Sequence, residues 1–245
     1  MRINAMRPAV VVAVIILFTL VFAPASGLAA DQVLEITAAA NSYAHLYKPF
    51  PDVPGSVVTA ELSIKVGDNS GSSWAPSLWF YWGPEAFVGI GQQPDMRIRV
   101  NQFGLIAGAT AQPLFRAYDW TDVQIVVTPQ LIQVMSRPQG GDWILIYQSA
   151  RTEGFVGMPK EIIIGKGFSN NTEVYPNPHL DNSTAAVAPT GVSYVDNLIV
   201  TVDGKTVLTE NFASLEGWGI HQDPDGNVEI RLVTPEEADA AFKEL

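Results

Sequence analysis

Between Val57 and Val66 the chain reads Val-Val-Thr-Ala-Glu-Leu-Ser-Ile-Lys-Val. Val58, Ala60, Leu62, Ile64 and Val66 fall on one parity, and Thr59, Glu61, Ser63 and Lys65 on the other. Side chains alternate across a strand, so the segment predicts a β-strand with one buried face. Short runs rich in β-branched and aromatic residues recur along the chain between clusters of Gly, Pro, Asn and Asp. They predict strands at 33–37, 43–47, 57–66, 77–82, 86–91, 96–101, 105–107, 120–128, 131–136, 143–148, 161–165, 193–202, 205–209 and 228–232.

Turn residues join these runs. Asp203-Gly204 lies between two apolar runs and predicts a tight hairpin. Pro129-Gln130 and Gly140-Gly141-Asp142 mark two further turns. Many strands at short spacing predict an all-β fold, a two-sheet antiparallel sandwich of jelly-roll type. Helical pattern enters only near residues 234–245. There Thr234, Pro235 and Glu237 read as N-cap, first helical residue and capping-box partner, and Ala238, Ala241, Phe242 and Leu245 share one face. The stretch 169–191 carries no strand pattern, and a loop of that length is either functional or disordered.

The first 30 residues follow another logic. Arg2 and Arg7 precede an apolar run from Ala9 to Ala23, and small residues lead to Ala29-Ala30 before Asp31. This is the layout of a cleaved signal peptide, and the run is shorter than the roughly 20 residues that span a bilayer. The expected mature chain is a single domain over 31–245, exported to the medium, periplasm or cell envelope, with no membrane insertion after cleavage. It has no cysteine, so neither a disulfide nor a lipidated N-terminal Cys is available. The formal net charge of −11 becomes two units more negative once Arg2 and Arg7 are removed, which argues against a nucleic-acid partner.

Five stretches in order resemble the concanavalin A-like lectin/glucanase superfamily, in particular laminin G-like modules and the module appended to some bacterial β-xylosidases. They are Val57 to Val66; Ser77-Leu78-Trp79-Phe80-Tyr81-Trp82-Gly83 with Ala86 to Ile90; Trp120 to Ile125 leading through Ile132-Gln133-Val134 to Gly140-Gly141-Asp142-Trp143; Ile162 to Gly165; and Ser193 to Val200. The resemblance implies two curved antiparallel sheets whose concave face holds sugar in the binding members, catalytic inertness in many members and structural Ca²⁺ in several. One departure is informative. The Phe and Gly-Trp pattern that opens such modules comes late here, as Phe212 and Gly217-Trp218, while Val33 to Ile36 resembles a late strand. The C-terminal segment is therefore expected to fold back beside the N-terminal strand and close one sandwich.

Catalytic patterns are scarce. No strand carries the alternating carboxylates of a glucanase, and His45, His179 and His221 are widely spaced with no metal-binding motif. A Tyr/His lyase assembled from distant residues stays open. Aromatic residues are the better lead, because sugar rings stack on aromatic faces. Trp79 and Tyr81 point one way along their strand and Phe80 and Trp82 the other, so one pair belongs to the core. Candidate ligand contacts are Trp74 in a polar loop, Trp79, Tyr81, and Asn170, Asn171, Tyr175 and His179 in the long loop. No cofactor is required. Asp68, Asp196, Asp223 and Asp225 offer the hard oxygens that Ca²⁺ takes, although Asp-rich segments are also ordinary turns.

The leading expectation is an exported, non-catalytic module that binds a polysaccharide or glycan. The alternatives are a glycoside hydrolase or polysaccharide lyase on the same fold, and a structural envelope protein that meets another protein.

Overall fold

Strand alternation sorts the chain into two antiparallel sheets, which the computed structural model describes over residues 31–38, 44–66, 77–83, 86–92, 98–102, 105–109, 119–151, 155–166, 191–222 and 228–242. Numbering strands in chain order, the eight-stranded first sheet runs β10 (Ile144–Ala150), β9 (Leu131–Pro138), β8 (Thr121–Val127), β3 (Val58–Val66), β12 (Gly191–Val202), β1 (Val33–Ala38) and β15 (Val228–Val233). Strand β13 (Lys205–Glu210) pairs with β12 off this path. The seven-stranded second sheet runs β14 (Gly219–Gln222), β2 (Ala44–Pro49), β11 (Glu161–Lys166), β4 (Ser77–Gly83), β5 (Ala86–Gln92), β6 (Ile98–Gln102) and β7 (Leu105–Ala109). The result is the all-β sandwich that the pattern predicts.

The main core lies between the sheets. Val58, Ala60, Leu62 and Ile64 of β3 and Val123, Ile125 and Val127 of β8 face Leu78, Phe80 and Trp82 of β4 and Ile162 and Ile164 of β11. Full burial of one such side chain is worth about 1.5–3 kcal/mol, so many of them together support a sandwich without disulfides. Phe80 and Trp82 are therefore the core pair of β4. Trp82 packs edge-on against Phe155 with centroids 4.9 Å apart, and its indole N–H donates to the carbonyl of Gly157 at 3.1 Å.

Closure follows the expected path. Strand β15 pairs antiparallel with β1, Ile230 opposite Ile36 and Leu232 opposite Leu34, which places β1 between β12 and β15. Asp203 and Gly204 take φ of 48° and 77° in the β12–β13 turn. The Asp203 carboxylate accepts from the Val57 amide at 2.9 Å, and backbone donors hold it below the usual carboxylate range. The helix α1 (Pro235–Ala240) starts with the expected capping box, Thr234 and Glu237 bonding reciprocally. Strand β14 was absent from the pattern: Gly-Ile-His-Gln is too short to show alternation, and pairing with β2 makes it a strand.

The outer face of the first sheet is polar and internally paired. Arg231 clamps Glu35 with Nε–Oε1 at 2.6 Å and Nη2–Oε2 at 3.1 Å. Arg137 reaches Asp122 at 2.8 Å and Glu61 at 3.1 Å, and Ser63 Oγ donates to Asp122 at 2.8 Å. Tyr194, buried beside Glu35, has its hydroxyl pushed up to about 12. Helix α1 covers one end of this face, where Val33, Tyr194, Val233 and Ala238 form a separate small core.

Candidate functional site

The parity that sends Phe80 and Trp82 inward turns Trp79 and Tyr81 to the outer face of the second sheet. Strand register assembles the neighbours. Tyr81 stands opposite Glu161 on one side and Phe87 on the other, and Trp79 lies between Ile163 and Gly89. Across β11, Ile163 faces Tyr47 and Gly165 faces His45; across β2, Tyr47 faces Gly219 and His45 faces His221. A face that an antiparallel sandwich usually gives to polar residues thus holds Tyr47, Trp79, Tyr81 and Phe87.

Two glycines make room for the rings. A Cβ on Gly89 would sit 2.0 Å from a Trp79 ring carbon, and one on Gly219 would sit 2.2 Å from the Tyr47 ring. Both aromatic side chains therefore lie flat on the neighbouring strand's backbone. Trp79 and Phe87 meet at 5.8 Å between centroids with a 49° tilt. Trp79 is 2% exposed and acts as the floor of this cluster, whereas Tyr47 and Tyr81 are half-buried and keep accessible surface. Trp79, expected as a ligand contact, thus lies on the outer face but beneath its neighbours.

Titratable groups gather on the same face. Burial, and then the adjacent Glu161 carboxylate, raises the Tyr81 hydroxyl. Burial also raises Glu161, with Lys160 opposing the shift. Both groups are biased toward keeping their protons. His45 is fully buried and its ring lies 5.0 Å from that of His221, whose pKa burial lowers toward the neutral imidazole. Tyr81 and Glu161, in register on β4 and β11, offer polar groups that can bind hydroxyls, while His45 and His221 lie four residues further along, on β2 and β14.

Trp74, Asn170, Asn171, Tyr175, His179, Asp68, Asp223 and Asp225 lie outside the described residues. Asp196 is on the outer face of the first sheet, remote in register from Tyr81. Its carboxylate accepts from the Asn197 amide at 2.7 Å and from Asn197 Nδ2 at 3.0 Å, and burial raises its pKa. That is a local turn-like arrangement at the β12 bulge. Among the described residues, no group of three or more His, Cys, Asp or Glu is arranged to hold a metal ion. Sequence reasoning missed Tyr47, His45, His221, Glu161 and Phe87. Parity along 43–47 does set His45 and Tyr47 on one face, but their partners come from strands far away in sequence.

No family model and no curated protein matches the chain. Among solved structures it is similar to a functionally unknown protein from Saccharomyces cerevisiae, at 8% identity over 60% of this chain and 70% of that one, TM-score 0.43. It is similar to the GH43 BlXynB protein from Bacillus licheniformis at 10% identity, covering 60% of this chain but 28% of that one, TM-score 0.41. It also resembles SCP-B, a member of the Eqolisin family of peptidases, at 13% identity over 80% of this chain and 99% of that one, TM-score 0.42. These likenesses are distant, and they carry no argument about the aromatic face.

Proposed function

We propose that the chain is an exported, non-catalytic module that binds a polysaccharide across the outer face of its second sheet, the face that the concanavalin A-like resemblance would make concave. The observation behind it is the row Tyr47, Trp79 and Tyr81 on the side turned away from the core, with Glu161 beside it. Tyrosine rings offer a stacking surface to the apolar face of a sugar, and the neighbouring carboxyl and hydroxyls bond its hydroxyl groups. Trp74 and the loop residues Asn170, Asn171, Tyr175 and His179 are proposed rim contacts, and Ca²⁺ at Asp68, Asp196, Asp223 or Asp225 is an accessory to the fold. Affinity electrophoresis against neutral plant and microbial polysaccharides tests the reading. Retardation by at least one polymer, reduced about tenfold or more in Tyr47→Ala and Tyr81→Ala, is expected. Unretarded migration with every polymer, or retardation unchanged in both variants, overturns it.

A second reading has one observation in its favour. Tyr81 and Glu161, with raised pKa values, and His221, with a lowered one, stand on one face, the kind of opposed displacement by which a fold separates acid from base. On this reading the protein cleaves the polymer that it binds. Release of new reducing or unsaturated ends, abolished by Tyr81→Phe and His221→Ala, would replace the binding-module reading with a hydrolase or lyase.

A further inference from the structure

On the opposite side of the molecule, between helix α1 and the first sheet, lies a cavity of about 580 Å³ lined by Lys65, Asp119, Trp120, Gln139, Asp239 and Phe242. A smaller one of about 140 Å³ shares Trp120, Gln139 and Asp239 with it and extends to Asp196 and Asn197. The larger volume falls within the roughly 300–1,000 Å³ usual for small-molecule sites.

The walls are held in place. Lys65, 4% exposed, donates to the carbonyls of Ala238 at 2.7 Å and Asp239 at 3.3 Å, capping the end of α1 from the sheet below. The Trp120 indole N–H donates to Asp239 Oδ1 at 2.8 Å, which fixes that ring as the cavity's side wall. Phe242 takes φ of 72° and Asn197 φ of 55°, conformations that non-glycine residues adopt at a cost. A bulky Phe in this region is uncommon, and it puts a second aromatic ring at the cavity.

The chemistry of the lining narrows the occupant. An anion would meet Asp119 and Asp239 at the rim and the chain's net charge of −11 beyond. An organic cation would compete with Lys65, whose ammonium already stands 6.0 Å from the Trp120 ring centroid and 5.8 Å from that of Phe242. Two carboxylates, a primary amide and two aromatic rings around a space of this size suit hydroxyl groups set on an apolar frame. We propose that this cavity binds a neutral, polyhydroxylated ligand of mono- to disaccharide size, stacked on Trp120 with its hydroxyls on Asp119, Gln139 and Asp239. The site stands apart from the aromatic face of the second sheet and does not depend on it.

The test is a titration of the mature protein, ¹⁵N-labelled at its tryptophan indoles, with maltose, cellobiose and lactose in turn up to about 10 mM. Glucosamine and galacturonate serve as the charged controls. The Trp120 indole signal is assigned by its absence from Trp120→Phe. A saturable shift of that signal with a neutral disaccharide is expected, weakened several-fold in Asp119→Asn and Gln139→Ala, whose exposed side chains can change while the thermal midpoint holds. No shift with any neutral disaccharide, a stronger response to either charged control, or a shift indifferent to both rim variants overturns the assignment. Polysaccharide retardation reads the other face. Its loss with the Trp120 response intact defeats the proposed function alone, and the reverse result defeats this site alone.

Discussion

The outer faces of the two sheets solve different problems with the same alternation. On the first, Arg231–Glu35 and the Ser63–Asp122–Arg137–Glu61 group tie neighbouring strands together, so nearly every charge there has a partner from the fold itself. Arg137 also lies 4.2 Å from the Trp143 ring centroid. On the second, rings rest on glycine backbone, and Glu161 makes no ion pair among the described residues. A charge satisfied by the fold stabilises the fold. A polar group held half-buried beside aromatic rings, with its pKa displaced, is what the proposed binding role uses.

Substitutions that separate stability from binding put that contrast at risk. Asp122→Ala should have the largest effect, about 2–3 kcal/mol lost in a urea titration, because it leaves the buried Ser63 hydroxyl without its acceptor and removes one of the two carboxylates that hold Arg137. Polysaccharide binding per mole of folded protein should not change; a loss of binding would mean that the two faces are coupled. Gly89→Ala comes next. The new Cβ must evict the Trp79 ring, at about 1–3 kcal/mol in thermal unfolding together with weakened binding. Tyr81→Phe should leave stability within about 0.5 kcal/mol while weakening binding about tenfold, measured by affinity electrophoresis.

The smallest effect concerns pH. The carboxyl of Glu161 holds its proton more tightly folded than unfolded, so between the unfolded and the raised folded pKa the native state binds more protons and stability falls as pH rises. Glu161→Gln removes this contribution. Its thermal midpoint should gain on the parent as pH climbs through that window and run parallel to it above; an equal offset at every pH would show that Glu161 titrates normally.

The legible part of the molecule is the part written locally. Alternation at 57–66 placed β3, Asp203-Gly204 placed a hairpin, and Thr234 to Glu237 placed the helix start. The late position of Gly217-Trp218 led to the β15–β1 pairing. The aromatic outer face was half legible: β4 is apolar on both parities, so hydrophobicity could not say which pair faced the core. In the structure Ile162 and Ile164 meet Phe80 and Leu78 on the inner side, while Ile163 meets Trp79 on the outer, so β11 is as apolar on both faces as β4. Glu161 beside Tyr81 and His45 beside His221 arise only from sheet order, which no local pattern encodes. Likewise, nothing near Lys65 in sequence indicates that it will hold a helix that begins at residue 235.

The flanking of β1 by β12 and β15 also sets a timetable. Its two neighbours span residues 191–202 and 228–233, so the strand formed earliest in synthesis must wait, unpaired on both edges, while most of the chain is made. Contacts this distant in sequence delay folding. During that interval β1 alone stays a loose thread while β3 and β8 to β10 can already pair, and whatever guards its edges from premature association must act before residue 233 has appeared.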